Sequence, residues 1–204
     1  MTKQDISVMT VEEYLNSEDS GTMRHEYVDG QVFAMTGATA AHNAICMNVS
    51  TLLHSHLRGT GCRAYSNDMK VKIDSANSFY YPDILVTCEP FSPKSVFTKV
   101  PVLLIEILSP STKQIDRREK VIAYKQIATL KEYLVIYQDR KRVEMYKKDS
   151  AGQWQTSIAQ QRDIVQLDSL QPPLQLPLTE IYEGLGLSNI VHEDEAEYDC
   201  DSDY

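Results

Sequence analysis

Two carboxylates stand out in the sequence because each lies beside or inside an apolar run. Asp83 directly precedes the run Ile84 to Val86, and Glu106 lies within the run Val102 to Leu108. A buried carboxylate without a partner is costly, so such groups are usually ion-paired, protonated or bound to metal. Two carboxylates on adjacent strands can hold Mg²⁺ through oxygen ligands and leave water positions for a phosphodiester to displace. The pair therefore predicts a site for metal-assisted hydrolysis.

A lysine beside this pair would orient or deprotonate the attacking water and screen charge in the transition state. The position two residues after the glutamate holds Leu108. On the helix expected next, Lys113, Arg117 and Lys120 share one cationic face, and Lys120 is the candidate for a displaced catalytic lysine. Asp116 precedes Lys120 by four residues, however, and a surface ion pair worth only ~0.3 to 0.5 kcal/mol is the interpretation that the residues alone favour.

Two further residues are candidate ligands, Glu26 in an expected hairpin and His42 on an expected helix. A lone histidine is more often a hydrogen-bonded structural group. An acid at the start of a strand is often a turn or edge residue, so a structural interpretation stays open for Asp83 as well. Glu106 is harder to explain in that way, because its strand is apolar on both faces.

The elements that must position these residues begin with a short helix and a hairpin. Thr10 and Glu13 form a capping-box pattern that predicts a helix start. Two strand-like runs, His25 to Val28 and Gln31 to Met35, then flank Asp29-Gly30, a dipeptide that favours a tight two-residue turn. The N-terminal region is therefore predicted to form a helix followed by a β-hairpin.

The rest of the chain alternates helical and strand-like patterns. We predict an amphipathic helix over Ala38 to Leu57, extended runs over Ala64 to Ile73 and Tyr80 to Thr87, and a central strand carrying Glu106. The expected elements after that strand are a helix from Ser109-Pro110 to about Ala128, strands Glu132 to Tyr137 and Arg142 to Tyr146, a hairpin near Trp154 and Ile164, and a short helix within Leu178 to Leu185. The predicted fold class is α/β (α+β), a mixed β-sheet flanked by helices.

Length and charge bound the organisation of the chain. Its 204 residues, 42% of them hydrophobic, favour a single domain over residues 1–190. Seven of the acidic residues lie between His192 and Tyr204, where no Lys or Arg occurs, so residues 191–204 are expected to form a disordered acidic tail. The formal net charge is -9, and without the tail the body is close to neutral. A near-neutral body argues against a protein that wraps DNA and is compatible with a metal-dependent enzyme.

The cysteines and the apolar runs point to a cytoplasmic location. Cys46, Cys62, Cys88 and Cys200 stand far apart, without the close pairs of a structural zinc site, and are expected to be reduced. No apolar run approaches the ~20 residues that would span a bilayer, so no membrane association is expected.

Several short motifs together resemble a known family. They are Arg24-x-Glu26-Tyr27-Val28-Asp29-Gly30, Thr36-Gly37-Ala38 with His42, Tyr81-Pro82-Asp83, Ile105-Glu106-Ile107-Leu108-Ser109-Pro110-Ser111-Thr112, and Asp116 with Lys120-x-x-x-Tyr124. In this order, from about Thr10 to Trp154, they resemble the Uma2 family of restriction-endonuclease-like proteins, within the PD-(D/E)xK nuclease superfamily. Leu108 departs from the superfamily pattern, which has a lysine there.

The resemblance implies specific roles for these residues. Asp83 and Glu106 would be metal ligands, the backbone carbonyl of Ile107 a further ligand, and Lys120 the migrated lysine. The implied cofactor is Mg²⁺ or Mn²⁺, and the implied partner is nucleic acid, with DNA as the expected substrate.

Two functions from different classes follow from the sequence. The first is a Mg²⁺-dependent endonuclease acting on DNA, expected to be a homodimer because cutting both strands at once needs two sites related by symmetry. The alternative is a catalytically silent nuclease-fold module that binds nucleic acid or a partner protein. The acidic tail could also compete with DNA for the site, because seven carboxylates can mimic a phosphate chain.

Overall fold

The computed structural model describes residues 8–35, 37–108 and 119–187. The expected acidic tail and the first part of the helix expected from Ser109-Pro110 lie outside these residues. Within them the chain folds as a mixed α+β structure, as the sequence predicts. The described helices are α1 (Val11–Ser20), α2 (Ala40–His56), α3 (Val121–Tyr124) and α4 (Leu178–Ile181).

The described chain contains thirteen strands. In sequence order they are β1 (His25–Val28), β2 (Gln31–Ala34), β3 (Arg63–Ser66), β4 (Lys70–Ile73), β5 (Ser78–Tyr80), β6 (Ile84–Thr87), β7 (Phe97–Thr98), β8 (Pro101–Leu108), β9 (Glu132–Tyr137), β10 (Arg142–Lys148), β11 (Trp154–Gln160), β12 (Ile164–Leu167) and β13 (Leu174–Pro177).

These strands form two sheets and a ribbon. The larger sheet has the order β11-β10-β9-β8-β6-β3, in which β8 and β9 are parallel and the other neighbours antiparallel. The smaller sheet has the order β2-β1-β5-β4-β7 and contains one parallel pair, β4 with β7. Strands β12 and β13 form a separate antiparallel ribbon. The larger sheet and the smaller sheet therefore both mix parallel and antiparallel pairs.

The N-terminal helix and hairpin form as their local signals predict. The Thr10 hydroxyl accepts from the Glu13 amide at 3.2 Å, and the Glu13 carboxylate accepts from the Thr10 amide at 2.8 Å, which completes the capping box of α1. Asp29 and Gly30 have φ of 47° and 89°, the left-handed values that a type I′ turn between two strands requires. The hairpin thereby fixes Glu26 on the strand that lies inside the smaller sheet.

The larger sheet is covered on both faces, which explains why β8 is apolar throughout. Leu103, Ile105 and Ile107 pack in the core that contains α2. Leu104 and Leu108 point to the opposite face and pack against Val121, Tyr124 and Tyr133. Because side chains alternate along a strand, Glu106 belongs to this second face, which α3 covers.

Some sequence predictions differ from the structure. The run from Ala64 to Ile73 divides into β3 and β4, and the run from Tyr80 to Thr87 breaks before β6. The hairpin expected near Trp154 and Ile164 is wrong, because β11 pairs with β10 over seven residues while β12 pairs with β13. The chain leaves the larger sheet at Gln161, whose φ is 58°. In the described part, α3 ends at Tyr124 rather than near Ala128, and α4 ends at Ile181.

The cysteine prediction is also corrected. Cys62 and Cys88 form a disulfide, whereas Cys46 is a buried thiol. Arg63 lies opposite Thr87 in the β3–β6 ladder, so the residues just beyond this pair face each other. Sequence spacing gave no sign of that register. None of the helices in the described ranges combines the length and apolarity that crossing a bilayer would require.

Candidate active site

The candidate site lies where the chain passes from one sheet into the other. Strand β5 ends at Tyr80 in the smaller sheet, and β6 begins at Ile84 in the larger one. Only three residues connect them, and Asp83 is the last of the three. Strand β1, next to β5, carries Glu26, and β8, next to β6, carries Glu106. The topology therefore gathers three carboxylates from both sheets around one connection.

Asp83 is held by two donors. The Ile107 amide donates to Asp83 Oδ2 at 2.6 Å, and His42 Nε2 lies 3.1 Å from Asp83 Oδ1. The first bond occurs because β6 begins only at Ile84, so the backbone of Ile107 meets a side chain where a strand partner would otherwise continue. Asp83 thus lies one residue before β6, an interior strand of the larger sheet, and directly adjoins the residue after Glu106.

The Ile107 carbonyl lies on the same side of β8 as the Ile107 amide. In an antiparallel pair, the N–H and C=O of one residue point toward the same neighbouring strand. The Ile107 N–H points toward Asp83, so its carbonyl is directed to that side as well. The backbone carbonyl that the family resemblance implies as a ligand therefore lies on the side of β8 that faces Asp83.

Glu106 is almost fully buried, with 3% of its surface exposed. Its Oε1 accepts from Lys120 Nζ at 3.2 Å and from the Tyr124 hydroxyl at 2.7 Å. Burial and the neighbouring Glu106 carboxylate raise the pKa of Tyr124 well above its usual value. Tyr124 is therefore a permanent hydrogen-bond donor to Glu106 at neutral pH.

Lys120 is buried rather than at the surface. It is 5% exposed, and its ammonium lies 2.9 Å from Glu26 Oε1 as well as 3.2 Å from Glu106 Oε1. The interpretation of Lys120 as a weak surface ion pair is thus wrong for this structure. Asp116, Lys113 and Arg117 lie outside the described residues. One cation bridges two carboxylates, and it links the smaller sheet to the larger one.

Glu26 and His42 both join the site, each with a second anchor. The Tyr81 amide donates to Glu26 Oε1 at 3.2 Å, which fixes the carboxylate that faces Lys120. His42 lies in the first turn of α2, where its amide donates to the hydroxyl of the N-cap residue Thr39 at 3.1 Å. The rigid start of α2 therefore holds the imidazole against Asp83.

These side chains line one cleft of about 940 Å³. The floor contains the acids and Lys120, and the hairpin contributes the wall with Val32, Phe33 and Met35. Phe33 is 51% exposed although it is a large apolar residue. The cleft therefore combines a charged, buried floor with an apolar wall and is open enough to admit a polymer chain.

Sequence reasoning assigned no role to Tyr124 or to the Tyr81 amide. Tyr124 follows Lys120 by four residues, a spacing that places two side chains on one helical face, so this signal could have been used. The Tyr81 amide gives no sequence signal, because its bond to Glu26 depends on the pairing of β1 with β5.

The donors at the site suit a hard divalent cation in type. Asp83 and Glu106 offer carboxylate oxygens, and the Ile107 carbonyl offers a further oxygen on the side of β8 that faces Asp83. Mg²⁺ commonly keeps several waters as its other ligands. Among the described residues, no group of three or more His, Cys, Asp or Glu side chains is arranged to hold an ion. A cation at this site would thus depend on two carboxylates, one carbonyl and water.

Comparison with known proteins gives a consistent result. Residues 11–179 match the model of the Uma2 family, described as "Putative restriction endonuclease". Two proteins of Synechocystis sp. (strain ATCC 27184 / PCC 6803 / Kazusa) are similar to this chain. "Uncharacterized protein slr1290" is 35% identical over 87% of this chain and 93% of the relative. "Uncharacterized protein sll1609" is 34% identical over 72% of this chain and 85% of the relative. The crystal structure of "a putative nuclease belonging to DUF820" from Anabaena variabilis ATCC 29413 has a TM-score of 0.65 at 19% identity, covering 78% of this chain and 89% of that one. This structural likeness concerns the fold.

Proposed function

Because the chain belongs to the Uma2 family, we propose that it is a Mg²⁺- or Mn²⁺-dependent endonuclease that hydrolyses phosphodiester bonds in DNA. The observation that carries the proposal is the cluster in which Asp83 contacts Ile107, and Glu106 contacts Lys120. Two acids from neighbouring strands, a backbone carbonyl and one buried ammonium are the groups that metal-assisted phosphodiester hydrolysis uses.

Asp83, Glu106 and the Ile107 carbonyl would hold the cation. When bound, a divalent cation acts as a Lewis acid that lowers the pKa of water and stabilises negative charge on phosphate. His42 orients the Asp83 carboxylate, and Tyr124 orients the Glu106 carboxylate. These two positioning groups lie on α2 and α3, so both carboxylates are fixed before substrate arrives, which favours catalysis by preorganisation.

Lys120 supplies the positive charge of this chain at the reacting centre. Its ammonium bridges Glu26 and Glu106, which reduces the repulsion between the two acids, and it lines the cleft. In that position it can donate to a phosphoryl oxygen as charge develops in the transition state. In this proposal Lys120, the residue that precedes α3, takes the role of the lysine that the superfamily pattern has on the strand.

A cleavage assay tests the proposal. Supercoiled plasmid DNA should be cut in Mg²⁺ or Mn²⁺ and left intact in EDTA. Asp83→Asn and Glu106→Gln keep the size of each side chain, and each should slow cutting about 100-fold or more. Glu180→Gln, on an exposed residue of α4, is the matched control and should cut at the wild-type rate. Metal-independent cutting, or equal activity in all variants, would reject the proposal.

A silent nucleic-acid-binding module remains the second candidate, and one observation favours it. Glu106 already contacts the Lys120 ammonium, and Asp83 already contacts the Ile107 amide and the His42 ring, so neither carboxylate needs a metal in order to have a partner. For this function, calorimetry should detect no Mg²⁺ or Mn²⁺ binding, and DNA affinity should be the same in Asp83→Ala and Glu106→Ala as in the wild type.

The proposed enzyme is a homodimer. The described residues of each chain form one candidate active site, and a cut through both strands needs two such sites related by symmetry. Light scattering combined with size-exclusion chromatography should give twice the mass of 23.2 kDa. A monomer that makes single-strand nicks in plasmid DNA would contradict the dimer and leave the metal chemistry unaffected.

A further inference from the structure

A second cleft adjoins the candidate active site. It has a volume of about 390 Å³ and shares Arg24, Asp68 and Tyr81 with the wall of the larger cleft. Its own floor includes Lys70, at the start of β4, and Tyr65, at the edge of the larger sheet. We refer to it as the Lys70 cleft. A linear polymer bound in one cleft could therefore extend past Tyr81 into the other cleft.

Lys70 is an unusual residue for the floor of a cleft. It is 6% exposed, and its Nζ donates to the Tyr81 hydroxyl at 3.1 Å and lies 5.0 Å from the centre of the Tyr81 ring. Within the described ranges no carboxylate lies within ion-pair distance of this ammonium. A lysine has three N–H donors, and the hydrogen bond to Tyr81 uses one of them.

The nearest acid is bound to other groups. The Tyr81 hydroxyl donates to Glu18 Oε2 at 2.6 Å, and Glu18 Oε1 accepts from the His25 amide and contacts the His25 ring at 3.0 Å. Tyr81 therefore separates the carboxylate from the ammonium and orients Lys70 without neutralising it directly. Burial lowers the pKa of Lys70, which agrees with a charge that lacks a direct partner.

Arg24 places a second cation at the rim of the same cleft. Its guanidinium pairs with Asp68 and lies 5.8 Å from the centre of the Tyr81 ring. The side chain is 44% exposed, so it can also reach a ligand. A buried ammonium with spare donors, a guanidinium at the rim and two tyrosine rings match a phosphate group joined to a nucleoside.

We propose that the Lys70 cleft binds a phosphodiester group of the same nucleic-acid strand that enters the larger cleft. The proposal rests on the proposed function only in requiring that this chain binds nucleic acid. Tyr81 joins the two clefts, because its amide fixes Glu26 at the active site and its hydroxyl fixes Lys70 in the second cleft. Contacts to phosphate carry no sequence information, so this cleft would position the strand without selecting a base sequence.

The salt dependence of DNA binding tests this assignment. Each neutralised phosphate contributes about 0.9 to the slope of log affinity against log salt for duplex DNA, and about 0.7 for single strands. We expect Lys70→Met to reduce the slope by that amount and to weaken binding roughly 5- to 10-fold at 0.1 M salt. Fluorescence anisotropy of labelled oligonucleotides in EDTA gives the slope while preventing cleavage.

Lys72→Met is the matched control. Lys72 lies on the same strand two residues away, pairs with Asp74 and lines neither cleft. The slope of log DNA affinity against log salt for Lys72→Met should equal that of the wild type. An equal loss in both variants, an unchanged slope in Lys70→Met, or a wild-type protein that binds no DNA would each overturn the assignment.

Two more variants keep the test decisive if Lys70→Met does not fold. Lys70→Arg retains the charge and should retain the slope, while Arg24→Gln should lower it. The reverse pattern would reject the cleft as a phosphate site. This result does not depend on catalysis. If the salt-dependence slope fell in Lys70→Met and the wild type cut no DNA, the phosphate site would stand and the proposed nuclease activity would be rejected.

Discussion

The ammonium of Lys120 lies 3.2 Å from the carboxylate of Glu106, although the two residues are fourteen positions apart and belong to different elements. The same ammonium is 2.9 Å from Glu26, in the other sheet. One buried cation therefore contacts one buried and one half-buried acid and connects two sheets, which gives it a structural role as well as the proposed chemical one.

Replacing Lys120 should separate these two roles. Lys120→Met leaves Glu26 and Glu106 without their cation, and breaking a buried pair in this way costs about 3 kcal/mol or more in the free energy of unfolding. We expect cleavage to be abolished and metal affinity to be retained, so Mg²⁺ should stabilise this variant and the wild type by a similar amount. Urea denaturation with and without Mg²⁺ measures the last effect.

The exposed Lys94 provides the control for this prediction. Lys94→Met should change the unfolding free energy by no more than ~0.5 kcal/mol. Wild-type cleavage by Lys120→Met would remove this lysine from the mechanism. If Mg²⁺ stabilised neither the wild type nor Lys120→Met, no cation would bind at the two acids.

Tyr124 should affect the orientation of Glu106. Tyr124→Phe removes a buried 2.7 Å hydrogen bond to Glu106 and is expected to lower the unfolding free energy by about 1–2 kcal/mol. Metal affinity should fall, because the carboxylate loses one of the groups that hold it in place. Titration calorimetry with Mn²⁺ measures this, and Tyr65→Phe serves as the control for stability. Unchanged affinity with full cleavage would assign Tyr124 to packing alone.

Glu18 should make stability depend on acid pH. Burial acts to raise the pKa of Glu18, but hydrogen bonds from Tyr81 and His25 outweigh it and hold the pKa below its usual value of 4.5. A depressed carboxyl pKa contributes stability that is present above the unfolded value and is lost as pH falls through the folded one. The stability difference between wild type and Glu18→Gln, about 1–2 kcal/mol at pH 7, should therefore shrink between pH 5 and pH 3. A difference that does not change with pH would contradict this assignment.

The Cys62–Cys88 disulfide should stabilise the oxidised chain. It closes a loop between residues 26 positions apart, for which loop-closure entropy predicts about 3–4 kcal/mol. Thermal melts with and without a thiol reductant should show this difference in the wild type. The double variant Cys62→Ser, Cys88→Ser should be insensitive to reductant. An equal melting temperature of the wild type in both conditions would contradict the prediction.

Local signals in the sequence predicted much of the fold. The capping box at Thr10, the turn at Asp29-Gly30 and the helical spacing of α2 depend on neighbouring residues, and all three are found in the structure. The burial of β8 was also predictable, because a strand apolar on both faces must be covered on both faces. Its position inside the larger sheet follows from the same pattern.

Long-range pairing set the limit of prediction. The register that brings Cys62 to Cys88 depends on residues 26 positions apart in the chain. Lys120 shows the same limit at the site. Helical spacing indicates Asp116, which lies outside the described residues, as a local partner, whereas the contacts with Glu26 and Glu106 come from two strands. The residues alone could select the acids, but only the tertiary structure could place the cation between them.

The parallel pairing of β8 with β9 also sets an order of folding. Leu103 to Leu108 align with Glu132 to Tyr137, so these strands can pair only after the chain between them has returned across the sheet. Closing such a loop costs conformational entropy before any contact repays it, which makes parallel pairing slow compared with the hairpin at Asp29-Gly30. The segment that closes the loop carries Lys120. The loop closure that pairs β8 with β9 therefore also brings the lysine to Glu106, so one chain reversal both builds the centre of the sheet and assembles part of the candidate site.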